Sequence, residues 1–198
     1  MGSEGVARGK KNAERIGATI VFIDESGFLM APLVRKTWAP RGKTPMLYHR
    51  TRHRQKVSAI AALCWKQKEP VRLYFRLQPD RNFNTQLIVD FLRQLLRQID
   101  GPLVLVWDRL NAHRSPRVRT CVETRPNSQI VFLPAYAPEL NPVEYLWGNW
   151  KMNPLVNLGV STLEELVSAV RKPALATQRK RALLSSFIRH SPLSFCLK

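Results

Sequence analysis

Acidic residues are scarce in this sequence. Aspartate and glutamate supply 14 of its 198 residues, against 32 lysines and arginines, so the formal net charge is +18 and the isoelectric point is about 10.8. This imbalance excludes an ordinary surface on which charges of both signs alternate. An excess of this size favours a polyanionic partner, usually nucleic acid, through counterion release and electrostatic steering. A ribosomal-type protein or an arginine-rich genome would give a similar composition.

Cysteine and long apolar runs are also scarce. The three cysteines, Cys64, Cys121 and Cys196, are far apart and odd in number, which fits a reducing cytosol and no zinc-ligand spacing. No apolar run reaches the roughly 18 residues that suggest a membrane span. Residues 1–15 are rich in glycine and lysine and lack the apolar centre of a secretory signal. We therefore expect a cytoplasmic, nucleoid-associated protein without a membrane segment.

The positive charge is concentrated in two stretches that contain no acid, residues 35–56 and 171–190. A solvated surface would normally mix both signs, so these stretches are predicted to contact phosphates. The first contains Arg35, Lys36, Arg41, Lys43, Arg50, Arg52, Arg54 and Lys56, and the second contains Arg171, Lys172, Arg179, Lys180, Arg181 and Arg189.

Hydrophobic periodicity predicts alternating strands and helices. Strands are expected over residues 18–23, 56–65, 71–77, 103–107 and 129–133, with the second and third forming a hairpin. Helices are expected over residues 84–99, from about Ser115, and from about Pro142. A capping box of Ser161 and Glu164 predicts a further helix, which Pro173 should interrupt before a basic helix that ends near residue 188. This order predicts an α/β fold with a mixed sheet covered by helices.

Two of the few acids end apolar strands. Asp24 follows the first strand and Asp108 follows the fourth, and sites in open α/β sheets gather beyond the carboxyl ends of strands. Clustered carboxylates repel one another unless a cation lies between them, and oxygen ligands suit Mg²⁺ or Mn²⁺. Glu144 follows Pro142 in the first turn of a predicted helix. Each acid alone also fits a structural role, as a turn or cap residue or as a partner of the helix dipole.

The chain resembles the DDE transposases of the insertion-sequence-630 family, the bacterial relatives of the mariner elements. The resemblance spans about residues 18–170, with 35 residues between Asp108 and Glu144 (144 − 108 − 1). It rests on four segments in order: Phe22-Ile23-Asp24-Glu25-Ser26-Gly27-Phe28, Trp38-Ala39-Pro40-Arg41-Gly42-Lys43-Thr44-Pro45, Trp107-Asp108-Arg109-Leu110-Asn111-Ala112-His113, and the stretch from Leu133-Pro134 through Asn141-Pro142-Val143-Glu144 to Trp147 and Lys151.

The resemblance implies a ribonuclease-H-like fold with a mixed five-stranded sheet flanked by helices. It also implies two Mg²⁺ ions, replaceable by Mn²⁺, held by Asp24, Asp108 and Glu144. Such ions, about 3.5–4 Å apart, activate the attacking oxygen and stabilise the leaving oxygen in phosphoryl transfer. The nucleophile would be water in DNA cleavage and a DNA 3′-hydroxyl in strand transfer, with TA target sites. A homodimer on the element ends and target DNA is the expected assembly.

Several residues near the three acids have open roles. Asp24 is taken as the metal ligand by resemblance, since periodicity cannot choose between it and Glu25, and Glu25 and Asn111 are possible accessory residues. His113 either faces the scissile phosphate or has a structural role at a helix start. Arg109, His113 and Lys151 join the predicted DNA-binding residues, together with those of the stretch at residues 35–56 and Arg179, Lys180 and Arg181. Trp38, Trp107 and Trp147 are predicted to lie in the core, with stacking on DNA bases as the alternative.

Relatives of this family have helix-turn-helix modules ahead of the catalytic domain, whereas Asp24 comes early here. We expect a leader over residues 1–17 that is disordered, a catalytic domain over 18–160, and a basic helical tail over 161–198 that packs on it. The chain would be the second half of a frameshifted transposase, a truncated copy or an excised domain, with a separate helix-turn-helix polypeptide as a possible partner. Two alternatives are an inert DNA-binding remnant and a ribonuclease H. The segments at residues 38–45 and 141–144 argue against the ribonuclease H.

Overall fold

The central feature is a mixed sheet of five strands, as predicted. A computed structural model describes residues 15–47, 55–152 and 155–193. The strands are β1 (Thr19–Leu29), β2 (Lys56–Trp65), β3 (Arg72–Pro79), β4 (Leu103–Trp107) and β5 (Gln129–Phe132). Their order is β3-β2-β1-β4-β5, in which β1, β2 and β3 pair antiparallel while β4 lies parallel to both β1 and β5.

Strand β1 is longer than the sequence predicted. The expected strand ended at Ile23, with Asp24 in a turn, but β1 continues to Leu29 because β2 supplies hydrogen-bonding partners as far as Lys56. Asp24 therefore lies opposite Ala61 inside a strand. The parallel pairing with β4 ends earlier, at Phe22 and Val106, so both β1 and β4 approach the acidic residues side by side.

Helices cover both faces of the sheet. They are α1 (Thr85–Leu96), α2 (Pro116–Glu123), α3 (Val143–Met152), α4 (Leu163–Gln178) and α5 (Arg181–His190), with a 3₁₀ turn at Pro138–Leu140 ahead of α3. The side chains of α1 and α2 pack in one apolar core, and those of α3, α4 and α5 pack in a second core on the opposite face. The C-terminal helices are thus part of the layer that covers the sheet.

The helix starts follow local capping chemistry. Asn84 caps α1, because its side-chain oxygen accepts a hydrogen bond from the backbone N–H of Leu87 at 2.9 Å. One of the first-turn N–H groups that lack a partner within the helix is thereby satisfied. Ser115 caps α2 in the same way. The predicted capping box at Ser161 and Glu164 is shifted by one residue. Thr162 is the cap, and Glu165 accepts a hydrogen bond from the backbone N–H of Ser161 at 2.7 Å.

The predicted interruption at Pro173 is wrong. Helix α4 passes through this residue without ending. Proline in a helix interior removes one backbone hydrogen bond and costs about 3 kcal/mol or more. The buried side chains of Val170, Ala174 and Thr177 lie on either side of it. Their packing in the core keeps the segment helical despite that cost.

The tryptophans divide between core and surface. Trp107 and Trp147 are buried as predicted, but the prediction for Trp38 is wrong, since its side chain is 100% exposed in the irregular segment between β1 and β2. No helix in the described part of the chain is long and apolar enough to cross a membrane.

Candidate active site

The alternation of side chains along β1 separates Asp24 from Glu25. Phe22 lies in the core beneath α3, whereas Ile23 lies in the core beneath α1 and α2. Because successive residues of a strand point to opposite faces, Asp24 points toward α3 and Glu25 points toward α2. Periodicity could not assign these faces while the strand was expected to end at Ile23.

Helix α3 brings a hydrogen-bond donor and a second carboxylate to Asp24. The indole Nε1 of Trp147 donates to Oδ2 of Asp24 at 2.7 Å. Glu144 is exposed in the first turn of the same helix, three residues earlier. Residues three apart share a helix face, so the hydrogen bond that orients Trp147 also directs Glu144 toward Asp24.

Asp24 resists ionisation in this setting. Burial is the largest cause, and the negative charges of Glu144 and Glu25 add to it, so that the pKa of Asp24 rises to about 7 despite the hydrogen bond from Trp147. A buried carboxyl beside other carboxylates gains most from a nearby cation. The raised pKa therefore indicates that a cation bound beside Asp24 would be favoured.

Asn141 joins α3 to the middle of β1. Its side-chain Nδ2 donates to the backbone oxygen of Ile23 at 2.9 Å, and its Oδ1 accepts from the backbone N–H of Val143 at 3.2 Å. The side chain is buried, so both hydrogen bonds are shielded from water. Asn141 thus fixes the start of α3 against the residue that precedes Asp24. From the sequence, Asn141 was only part of the segment Asn141-Pro142-Val143-Glu144, and this role was not predicted.

Asp108 is held by a different partner on the other side of the site. Its Oδ1 accepts from the backbone N–H of Leu110 at 3.1 Å and lies 2.5 Å from Nδ1 of His113. The imidazole of His113 is 1% exposed and stacks on Trp107, with ring centroids 3.8 Å apart and an interplanar angle of 21°. Its Nε2 lies 3.1 and 3.2 Å from the two carboxylate oxygens of Glu25.

The charge on His113 explains this arrangement. Burial alone would lower the pKa of His113, but the hydrogen bonds and negative charges of Asp108 and Glu25 outweigh burial and raise it to about 9. The imidazole is therefore protonated at neutral pH, and both ring nitrogens donate. Burial would raise the pKa of Asp108, but the hydrogen bonds from His113 and Leu110 keep it below its ordinary value. At neutral pH Asp108 is therefore ionised, whereas Asp24 is only partly ionised.

Glu25 and His113 therefore form a bridge from β1 to Asp108. Glu25 was a possible accessory residue, and its carboxylate here contacts the histidine. His113 is buried between two acids, which places the ring behind Asp108. The other possible accessory residue, Asn111, is exposed and contributes its backbone oxygen to the turn that ends at Arg114.

The predicted DNA-binding residues of the first basic stretch lie on the irregular segment that follows β1. Arg35, Lys36, Arg41 and Lys43 are exposed there, and the backbone N–H of Arg35 donates to Oδ1 of Asn157. Lys56 begins β2 and is half-buried. The remaining predictions of this stretch, Arg50, Arg52 and Arg54, fall outside the described residues.

The other predicted DNA-binding residues occupy three exposed or half-buried places, apart from His113, which is buried between Asp108 and Glu25. Arg109 is exposed beside Asp108, and its Nε donates to the backbone oxygen of Leu133 at 3.1 Å. Nζ of Lys151 lies 5.6 Å from the ring centre of Phe28 on the α3 side. Arg179, Lys180 and Arg181 are exposed together where α4 gives way to α5. They form a compact basic corner.

The acidic side chains have the donor chemistry of a divalent-metal site. Carboxylate oxygens are the ligands that Mg²⁺ and Mn²⁺ prefer. Over residues 15–47, 55–152 and 155–193, however, no three His, Cys, Asp or Glu side chains form a group that could hold a metal ion as they stand. The hydrogen bonds of Asp24 and Asp108 to Trp147 and His113 occupy one oxygen of each carboxylate.

A family model described as DDE superfamily endonuclease matches residues 19–167, which include Asp24, Asp108 and Glu144. No curated protein sequence matches the chain significantly.

Solved structures of Mos1 mariner transposase share the fold. A paired-end complex with Mn has a TM-score of 0.68 and 19% identity over 98% of this chain and 59% of that one. A catalytic domain with raltegravir and Mn has a TM-score of 0.62 and 15% identity, with 98% and 90% covered. The catalytic domain alone has a TM-score of 0.59 and 16% identity, with 98% and 88% covered. The present chain thus spans about three fifths of the transposase in the paired-end complex. With a ribonuclease-H-like fold shared with the mariner catalytic domain and a family match over three quarters of its length, the chain belongs to the DDE superfamily of endonucleases.

Proposed function

We propose that this chain is the catalytic domain of a DNA transposase, which cleaves DNA strands and joins their 3′ ends to target DNA with the help of divalent metal ions. The observation that carries the proposal is that helix α3 brings Trp147 and Glu144 to the half-buried Asp24, with the indole of Trp147 donating to its carboxylate at 2.7 Å. Carboxylates placed this close together repel one another, and a cation bound between them relieves that repulsion. The few acids of this chain are therefore placed where a cation would bind. Mos1 structures solved with Mg and with Mn support divalent metals as that ligand.

Asp24, Asp108 and Glu144 are the residues we assign to the two metal ions. Bound divalent ions would polarise the scissile phosphate, help to deprotonate the attacking oxygen and stabilise the leaving oxygen. Asp108 would present the carboxylate oxygen that His113 leaves open, since Oδ1 accepts the hydrogen bonds from His113 and Leu110. Asp24 would present its carboxylate from the end of the β1–β4 pairing, held by Trp147. Glu144 would supply the third carboxylate from the first turn of α3.

The basic surfaces supply the proposed DNA contacts. Arg109 lies beside Asp108, and Arg179, Lys180 and Arg181 form the corner between α4 and α5. Cationic side chains that neutralise phosphates contribute affinity but carry no base sequence information. We therefore propose that recognition of element ends depends on a separate helix-turn-helix module, with two copies of the chain on the DNA, as relatives of this family imply.

The proposed function predicts strand cleavage that depends on metal and on all three acids. Purified chain should nick supercoiled plasmid with Mg²⁺ or Mn²⁺, and Asp24→Asn, Asp108→Asn and Glu144→Gln should each reduce the nicking rate by about a thousandfold or more, because loss of a metal ligand removes most of the stabilisation of the transition state. Conversion to nicked circles on agarose gels measures the rate. Asp90→Asn on the exposed face of α1 is a matched control and should cut at the wild-type rate.

Unchanged nicking by the Asp24→Asn or Asp108→Asn variant would refute the catalytic assignment. A wild-type chain that binds DNA and never cuts it, with Mg²⁺ or Mn²⁺ and a supplied helix-turn-helix module, would favour the inert remnant.

DNA binding should depend steeply on salt and scarcely on sequence. Each phosphate contact should contribute about 0.9 to the slope of log affinity against log salt. Replacing Arg179, Lys180 and Arg181 together by glutamine should reduce that slope by up to about 3. The matched control is the triple glutamine variant of Arg93, Arg97 and Arg117, which line a cavity of about 730 Å³ between α1 and α2. Equal slope changes in the two variants, measured by fluorescence anisotropy, would contradict the assigned surface.

A further inference from the structure

An exposed aromatic ring lies on the loop that connects β5 to α3. Tyr136 is fully exposed, and its backbone has a φ of +58°, in the left-handed region. A residue with a Cβ atom adopts this region at an energetic cost, which β-branched and bulky residues bear most heavily. The other described non-glycine residues with positive φ are Lys68, Asp80, Asn127 and Asn157, all polar. Tyr136 is the one aromatic member of this set among the described residues.

Both ends of the loop are attached beside the catalytic aspartates. At its start, the backbone N–H of Leu133 donates to the oxygen of Trp107 at 2.7 Å, next to Asp108. At its end, Nδ2 of Asn141 donates to the oxygen of Ile23 at 2.9 Å, next to Asp24. The loop therefore spans the site from one aspartate to the other. Tyr136 is three residues from Leu133, so its Cα lies within about 11 Å of that anchor.

The loop is also stiff. Pro134 and Pro138 fix the backbone φ on either side of Tyr136. The 3₁₀ turn at Pro138–Leu140 adds a hydrogen bond from the N–H of Asn141 to the oxygen of Pro138 at 2.8 Å, and the N–H of Leu140 donates to the oxygen of Ala137. Because the ring of Tyr136 is exposed to solvent, it contributes no hydrophobic stabilisation to the fold. This unfavourable arrangement is typical of positions that meet a ligand.

We propose that Tyr136 is a stacking platform for an unpaired nucleobase next to the scissile phosphate. The inference rests on the proposed DNA-cleaving function of the same site. Aromatic rings stack on the face of any base, so the contact tolerates sequence but requires a base that has left the double helix. Strand ends produced by cleavage provide such bases. Arg109, exposed at the base of the loop, would contact the adjoining phosphate.

The test uses DNA with an unpaired fluorescent base. A short duplex with a 3′ overhang carries 2-aminopurine in the overhang, and a second duplex carries it in the paired centre. Binding without divalent metal keeps the strands uncut. Wild type and Tyr136→Phe should quench the overhang base and leave the central base unaffected. Tyr136→Ala and Tyr136→Gly should lose the quenching and bind the overhang DNA about 5- to 100-fold more weakly, with unchanged affinity for blunt duplex.

Two controls separate stacking from folding. Tyr136→Gly relieves the left-handed backbone, so its melting temperature should not fall, which shows that the lost quenching is not unfolding. Asn127→Gly changes another left-handed residue, ahead of β5 at the opposite end of the sheet, and should quench like wild type.

Each remaining outcome has a defined meaning. Quenching and overhang affinity that survive in Tyr136→Ala would overturn the proposal. So would quenching that survives while the variant loses self-association in sedimentation, since the ring would then contact a second copy of the chain. A wild-type protein that quenches the overhang base but never cuts DNA, with Mg²⁺ or Mn²⁺ and a supplied helix-turn-helix module, would reject the proposed function and leave the stacking contact intact.

Discussion

The pKa values of the two aspartates in the site are shifted in opposite directions. Asp24 accepts a hydrogen bond from the neutral indole of Trp147 beneath α3, and its pKa rises to about 7. Asp108 is held by the protonated imidazole of His113 on the side of α2, and its pKa lies below the ordinary value. Asp108 is thus ionised at neutral pH, and Asp24 would become fully ionised on binding a cation. The comparison shows that burial dominates at Asp24, whereas at Asp108 the hydrogen bonds from His113 and Leu110 outweigh burial.

Among substitutions at the partners of the two aspartates, the largest effect is expected from removing the charge of His113. His113→Phe keeps a ring against Trp107 but removes both donors, so Asp108 loses its cationic partner and its pKa should rise. Partners that orient metal ligands typically contribute 10- to 100-fold to metal affinity or activity, and we expect a loss of that size. The nicking rate as a function of Mg²⁺ concentration measures it.

His190→Phe is the matched control, since His190 is exposed at the end of α5 and its ring contacts the backbone oxygen of Ser186. A His113→Phe variant with the Mg²⁺ dependence of wild type would show that the imidazole does not position Asp108. Glu25→Gln should reproduce part of the loss, because it removes one of the two charges that keep His113 protonated.

A smaller effect is expected from Trp147→Phe, which keeps an aromatic ring in the core and removes the donor to Asp24. Because that hydrogen bond lowers the pKa of Asp24, the variant should titrate above 7. Nicking at limiting Mg²⁺ should then rise with pH at a higher midpoint than in wild type, with a several-fold loss at pH 7. Trp150→Phe, whose indole donates to Thr177 and not to an acid, should keep the wild-type midpoint. If both variants showed the same pH midpoint of nicking, the hydrogen bond from Trp147 would not set the pKa of Asp24.

The smallest effect concerns stability. The pKa of Asp24 is about 7 in the folded chain and near 3.8 as a free carboxyl. The folded state therefore binds the extra proton between these values, and stability contributed by protonated Asp24 is lost as pH rises from about 4 to about 7. Asp24→Asn removes this loss. Its melting temperature should exceed that of wild type by a few degrees at pH 8, by less at pH 5 and not at all below pH 4. An equal difference at every pH would contradict the raised pKa.

Much of this fold could be predicted, because local patterns and tertiary packing agree over most of the chain. The continuous apolar run of β4 and the helical spacing of α1 led to the right elements, and the family motifs indicated the three acids. The end of β1 could not be predicted, because Asp24, Glu25 and Gly27 resemble a turn and only the pairing with β2 keeps them extended. The same error left the faces of Asp24 and Glu25 undecided.

Two features of the site could not be predicted, because their partners are distant in sequence. The position of His113 depends on Glu25, which is 88 residues away, and the role of Asn141 depends on the backbone of Ile23, which is 118 residues away. Trp147 offered a weak signal, since it lies three residues after Glu144 and shares its helix face. A tryptophan in a core position nevertheless gave no reason to expect a hydrogen bond to a carboxylate.

The most direct test of the unequal aspartates is a carbon-13 NMR titration of the side-chain carboxyls. The chain has five aspartates, so selectively labelled protein gives few signals, and Asp24→Asn and Asp108→Asn assign the two of interest. We predict that Asp24 titrates near pH 7 and shifts to lower pH when Mg²⁺ is added, while Asp108 titrates below its ordinary value of 3.8. Overlapping titrations of the two near pH 4, unmoved by Mg²⁺, would contradict the account.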